Sequence, residues 1–310
     1  MFSLAQHKYL PTLHHHQPCT NRPSLHAVRV SCSTRPSDPT PNVKHLIIKP
    51  RLSPPLPVAA TTTATTRPTD NDPSLISDWS HRAWTTAGCT IILYTLAQSM
   101  NGANNLQTQV ALVFAAFAGY ITADLITGIY HWGLDNYGDE STPVFGPAID
   151  NFQEHHKWPW VITKRQFARN LHALARSVTL IALPVDLIFH DPVLLGFMGW
   201  CLGCVMMSRQ FHSWAHYPKS RLPKVVVALQ DAGVLVGRSM HAEHHRPPYV
   251  TNYCIVSGVW NPVLDRFKFF EAMEKILYRM FGVRPRCWDD PAANGWLEEN
   301  DEQEASHIKA

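Results

Sequence analysis

The sequence predicts an all-α, integral membrane helical bundle of three to four spans. Three observations lead there. Charged residues make up only 16% of the 310, against 45% hydrophobic, a low charge fraction beside the usual quarter. Apolar runs of about bilayer-crossing length recur through the middle of the chain. Two polar, histidine-bearing segments accompany those runs.

The elements follow in order. Residues 1–70 are rich in Pro, Ser and Thr, and up to position 68 they hold eight Lys or Arg against one acid, Asp38. Such a segment cannot bury enough apolar surface to offset chain entropy. Basic, hydroxyl-rich and acid-poor, it reads as a plastid transit peptide and linker, with cleavage near 30–33 in "HAVRVSCST". Its histidines 14–16 are assigned no chemistry. The folded domain is expected over 71–290. Residues 83–100 form a first apolar run, and 109–132 a second, marred by Asp124. A third region, 178–207, is too long for one crossing. Pro184, Asp186 and "FHDP" break it into a helical hairpin turning at His190–Pro192. Residues 224–237 are shorter and contain Asp231, which suits an interfacial or buried segment. Residues 291–310 are an acidic, frayed tail. A water-soluble helical protein with a large core is the alternative.

Outside the first 68 residues, 19 basic residues face 23 acidic ones. That mild negative balance gives nucleic-acid binding no support. Seven cysteines are scattered without a disulfide framework. Cys201 and Cys204 sit inside "GFMGWCLGCVMM", where a packing role outweighs redox or metal chemistry.

Nine histidines between positions 131 and 245 fall into four clusters: His131; His155, His156 and His172; His212 and His216; His241, His244 and His245. His190 stands apart in the presumed turn. "FHSWAH" sets His212 and His216 on one helix face, and "HAEHH" spaces its three at i, i+3 and i+4. Asp124, Gly128, His131 and Asp135 form a stripe down the second apolar run. A lone histidine would be a core or surface residue, but clustered imidazoles at membrane ends are costly to bury unpaired. A metal removes that cost, since neutral imidazole is a good ligand.

Eight or nine imidazoles exceed the three protein ligands of a catalytic zinc and suit a histidine-rich site for two ions at the membrane end. Without accompanying cysteines, iron–sulfur and thiolate zinc sites are disfavoured. The chain also lacks G-x-S-x-G, a P-loop and G-x-G-x-x-G. Nitrogen-held ions beside a bilayer suit oxygen activation and attack on an inert C–H bond, which favours iron.

The blocks "YHWGLDNYGD", "FQEHHKWPWVITKRQF", "QFHSWAH" and "MHAEHHRPPYVTNYCIVSGVWN" resemble the membrane lipid desaturase family that includes plasmanylethanolamine desaturase and a plastid palmitate desaturase. The likeness runs from about Ser74 to Trp288. It implies two irons per chain, O₂ and two electrons. It carries eight ligands onto His131, His155, His156, His212, His216, His241, His244 and His245. Asp135 stands where acyl-CoA desaturases have the second histidine of H-x-x-x-H, as a further ligand or an orienting acceptor. His172 fits the plastid branch as a ninth histidine ligand. That branch implies a chloroplast membrane enzyme that places a trans double bond at carbon 3 of palmitate in phosphatidylglycerol. Reduced ferredoxin is then the expected donor, because the chain has no fused haem or flavin domain.

Ligating imidazoles usually donate their other N–H to a carboxylate or carbonyl. Asp124, Glu154, Asp231 and Glu243 are within sequence reach of that role. Lys157, Lys164, Arg165, Arg169 and Arg246 are candidates for an anionic headgroup, although basic residues at membrane ends are common as anchors. A lipid hydroxylase on the same centre is the enzymatic alternative, and a non-catalytic membrane haem- or metal-binding protein the other.

Overall fold

The computed structural model describes Thr69 and residues 72–288. The expected transit segment and acidic tail lie outside these residues. The described chain is helical, with no strand. Its α-helices are α1 (Trp79–Gly102), α2 (Leu106–Asn136), α3 (Gly146–Lys157), α4 (Val161–Lys164), α5 (Phe167–Ile188), α6 (Pro192–His216), α7 (Lys224–Asp231), α8 (Arg238–His244), α9 (Asn261–Arg266) and α10 (Phe269–Phe281).

Local chemistry sets the long helices' starts. Asp78 caps α1 in a reciprocal capping box with His81, and Asn105 caps α2 by accepting from the Thr108 N–H. Asp191 caps α6, whose first residue is Pro192, so the hairpin turn falls where expected. Pro184 does not break α5, which carries it inside the helix to Ile188.

Four long helices pack as a bundle: α2 against α6, α1 against α5 and α6, and α5 against α6. Gly119 lets α2 touch α6 backbone to backbone, because a Cβ there would meet the Phe197 carbonyl. Helices α2, α5 and α6 are long and apolar enough to cross a membrane. At 31 residues, α2 is roughly 46 Å long, more than a bilayer core requires. Phe114, Phe117, Leu187 and Trp200 project outward from these three helices, as lipid-facing side chains should. The expected span over 83–100 lies in α1, which has the length but not the apolarity. Thr85, Thr86, Thr90, Thr95 and Gln98 dilute the run.

The bundle brings the C-terminal ends of α2 and α6 together with the N-terminal ends of α1 and α5. Helices α3, α7 and α8 and the 249–260 loop gather at that end. Asp186 is buried in α5, and its Oδ2 accepts from Thr95 Oγ1 of α1 at 2.8 Å, a polar tie between the two helices inside the bundle.

Candidate metal centre

Nine of the ten side chains expected as ligands converge, and they sort into two adjacent groups. One comprises His155, His212, His216, His241 and His245, and the other His131, Asp135, His156 and His244. Within each group the donor atoms lie within 4.8 Å of one another. Each group takes two donors from a single span, α6 or α2, and one from α3. The rest come from α8 and His245, the residue that ends it. Adjacent His155 and His156 point to different groups because neighbouring residues on a helix are about 100° apart. His244 likewise parts from His241 and His245.

In the first group, His216 Nε2 lies 3.3 Å from His212 Nε2 and 2.8 Å from His241 Nε2. His245 Nε2 is 3.1 Å from His241 Nε2. Imidazole–metal bonds of about 2.0–2.1 Å place neighbouring donors roughly 3 Å apart. In the second group, Asp135 Oδ2 lies 3.4 Å from His131 Nε2, 3.2 Å from His156 Nε2 and 3.5 Å from His244 Nε2. Rings of the two groups touch: His131 is 5.7 Å from His212, and His156 4.8 Å from His245.

The donor set fits metal ions. His131, His155 and His244 are buried, yet their Nε2 atoms have no hydrogen-bond partner. A native fold rarely leaves buried polar atoms so. The opposite ring nitrogens of two of them are satisfied. His131 Nδ1–H donates to the Tyr253 carbonyl at 2.9 Å, and His244 Nδ1–H to the Thr251 carbonyl at 2.7 Å. Those carbonyls select the tautomer that leaves each Nε2 lone pair facing the group. Burial, and then the neighbouring imidazoles, hold His155, His241 and His245 well below the usual histidine range. They are therefore neutral at physiological pH, the form that binds a metal.

The sequence did not indicate those carbonyls; it pointed to carboxylates, and there the structure corrects it. Asp124 is fully buried and touches no imidazole. Its Oδ1 accepts from the N–H groups of Val256, Ser257 and Gly258 at 3.1, 2.8 and 3.0 Å, and its Oδ2 from Trp260 at 3.3 Å. It pins the end of the segment that carries the Thr251 and Tyr253 carbonyls. Asp231 pairs with Lys219 at the surface. Glu243 accepts weakly from Asn252 Nδ2 at 3.5 Å. Glu154 is partly buried in electrostatic reach of Arg165, and burial raises its carboxyl pKa.

His172 is kept apart from both groups, and this placement gives it no part in them. It lies on the face of α5 turned towards α1, where its ring centre is 4.0 Å from that of His81, tilted by 52°, and Nδ1 donates to the Arg169 carbonyl. Of the basic candidates, Lys157 lies over Trp158, and Lys164 and Arg246 are exposed. Arg165 and Arg169 turn inwards towards a cavity that Arg209 also lines. Arg209 was not singled out in the sequence, because it is embedded in the apolar run of α6.

Three helices are long and apolar enough to cross a membrane, and two of them, α2 and α6, end in touching imidazole groups that could hold metal ions, which defines a helical membrane protein with candidate ligands at one end of its spans. Residues 120–288 match the lipid desaturase domain family, and the chain belongs to that family. It is 49% identical to Fatty acid desaturase 4, chloroplastic, of Arabidopsis thaliana, over 94% of this chain and 97% of that protein. Identity to Fatty acid desaturase 4-like 2, chloroplastic, of the same plant is 49% over 88% and 92%. Plasmanylethanolamine desaturase of Myxococcus xanthus is 33% identical over 56% of this chain and 63% of its own. No solved structure matches. The protein is therefore a lipid desaturase, an oxidoreductase, and its matched region includes every residue of both groups.

Proposed function

We propose that the protein is an acyl-lipid desaturase of the chloroplast membrane that holds two irons. It introduces a trans double bond at carbon 3 of palmitate in phosphatidylglycerol. The observation that carries the metal count is the sorting of nine donors into two touching groups. The plastid assignment is supported by the basic, hydroxyl-rich residues 1–70, proposed as a transit segment cleaved near 30–33, and by relatives named chloroplastic.

The overall reaction balances as one CH₂–CH₂ unit, O₂, two electrons and two protons giving CH=CH and two waters. Bound metal supplies the oxygen activation that no side chain can provide. The protein's own residues do the rest. His131 and His244 are held in one tautomer by Tyr253 and Thr251, while Phe152, Tyr253 and the ring cluster keep bulk water from the donors. Asp135 brings the second group a negative charge that the first does not have. Electrons come from a separate acidic carrier, reduced ferredoxin in a plastid, for which exposed Lys164 and Arg246 form a basic landing face.

A non-catalytic haem protein fits less well, because imidazole centroids 4.3–4.9 Å apart leave no slot for a macrocycle between them. A hydroxylase differs only in product. Metal content and acyl-lipid composition should be measured on membranes expressing the chain with a ferredoxin system. Two irons per chain and a new trans C16:1 in phosphatidylglycerol are expected. A hydroxy-acyl product would select the hydroxylase, and zinc or haem would overturn the proposal.

A further inference from the structure

Behind the first turn of α3 lies a cavity of about 360 Å³, enclosed by the 144–148 segment, α3, α5 and α6. Arg165, Arg169 and Arg209 line it, with Tyr130, Phe145 and His172. Three guanidiniums in one partly buried space repel one another and lose hydration. None forms an ion pair with a described carboxylate. Arg165 Nη1 donates to the Asn151 amide oxygen at 2.7 Å, and Arg169 Nε to the Ser74 carbonyl at 2.8 Å, both neutral acceptors. Arg209 lies 5.1 Å over the Phe152 ring, a cation–π contact. Nε of Arg165 and Nε of Arg209 are buried without any partner. Glu154 and Asp72 act on Arg165 through space without pairing with it, so three guanidiniums exceed the carboxylates around them, a balance that suits an anion.

We propose that this cavity seats the anionic phosphodiester of the lipid substrate's headgroup. Guanidinium N–H groups match phosphate oxygens in pairs. Exposed Val144 and half-exposed Phe145 at its rim suit the glycerol and acyl stems. Position matters as much as charge. The Arg209 guanidinium and the His131 ring both lie 5.1 Å from the centre of Phe152, so they are at most about 10 Å apart. From phosphorus to carbon 3 of an acyl chain there are seven bonds through glycerol and ester, roughly 9 Å when extended. A phosphate held at Arg209 thus delivers the carboxyl end of the chain, and not its middle, to the ligand groups. The inference rests on the proposed function only for which carbon reacts. The anion seat itself rests on the arginines.

The test is retention of phosphatidylglycerol and of phosphatidylcholine by the iron-loaded full chain in mixed detergent micelles, alongside iron content. Arg209→Gln and Arg165→Gln should each weaken phosphatidylglycerol retention about ten-fold, with iron content unchanged and Arg209→Lys intermediate. Should Arg209→Gln fail to fold, Arg165→Gln, at the helix end, carries the test. Unchanged retention in the folded variants overturns the proposal. So does inorganic phosphate that binds as tightly as the lipid with the same arginine dependence, since the site would then serve a free anion. Slower turnover only at limiting electron donor, with lipid retention intact, would also overturn it and place a protein partner on these arginines. Arginine-dependent retention without any new double bond would uphold the seat while the proposed reaction fails.

Discussion

Asp124→Asn isolates the structure's least expected feature, a buried carboxylate that serves the ligands through the main chain. The substitution keeps size and shape. An amide oxygen can still face the N–H groups of Val256, Ser257 and Gly258, but its NH₂ then faces the Trp260 N–H, donor against donor. Hydrogen bonds to a charged acceptor contribute about 1.5–3 kcal/mol each and neutral ones about 0.5–1.5, so three weakened bonds and one lost come to roughly 6 kcal/mol at mid-range. Asp124 is fully buried, so solvent does not screen this loss. Denaturant unfolding of the iron-loaded chain in detergent, with iron content measured on the same samples, is the assay. Expected are a fall in stability of that order and partial loss of iron, because the displaced segment carries the carbonyls that orient His131 and His244. Stability unchanged within about 0.5 kcal/mol would refute the pinning role. Iron loss without a stability change would instead make Asp124 a direct partner of an imidazole.

Three further outcomes separate ligands from neighbours. His244→Ala should lose iron and reduce product by more than about a hundred-fold, whereas His172→Ala should retain full iron content; elemental analysis and lipid analysis check both. Asp135→Asn keeps the shape but removes the only carboxylate of the second group, so iron per chain should fall from two towards one, and two retained irons would count against its role as a ligand. Gly128→Ala would drive a Cβ into Cys254 Sγ, where α2 meets the carbonyl-bearing segment; a loss of about 1–3 kcal/mol in the same unfolding assay is expected.

Much of the site was legible because helical spacing is legible. His212 and His216, and the i, i+3, i+4 set in "HAEHH", announce shared faces, and the four-residue step from His131 announces Asp135. How the imidazoles divide between two groups was not, since His241 and His244 share a face and yet fall in different groups. That choice depends on where α2 and α6 end relative to α8. Asp124 was misread for a related reason. Its stripe with His131 is real, but its partners are backbone N–H groups 132–136 residues away, and main-chain donors leave no trace in residue identity. The Thr251 and Tyr253 carbonyls were invisible for the same cause. His172 shows the converse error: closeness in sequence to His155 and His156 suggested a shared site, while its phase on α5 turns it to His81. The run over 83–100 lies in α1, whose Ser, Thr and Gln residues make it less apolar than α2, α5 and α6.

The division of donors bears on how the domain holds together. Helices α2 and α6 carry two donors each, rigidly, and need no metal to be helices. Helix α8 is only seven residues long and α3 twelve, lengths at which an isolated helix is marginal in water. Each donor group joins one span to both short helices, so ions bound there would cross-link the membrane bundle to the elements packed on its end. Binding free energy at such a site is also folding free energy for the segments that close it. Asp124 pins the 249–260 segment from the bundle side, and ions bound at the two groups would pin α3 and α8 from the other. The carbonyls of Thr251 and Tyr253 lie between these two anchors, so ligand orientation is fixed only when both hold. Chelation should therefore loosen α3 and α8 first, ahead of α2 and α6, which hydrogen exchange resolves; uniform loosening of all four would contradict this division.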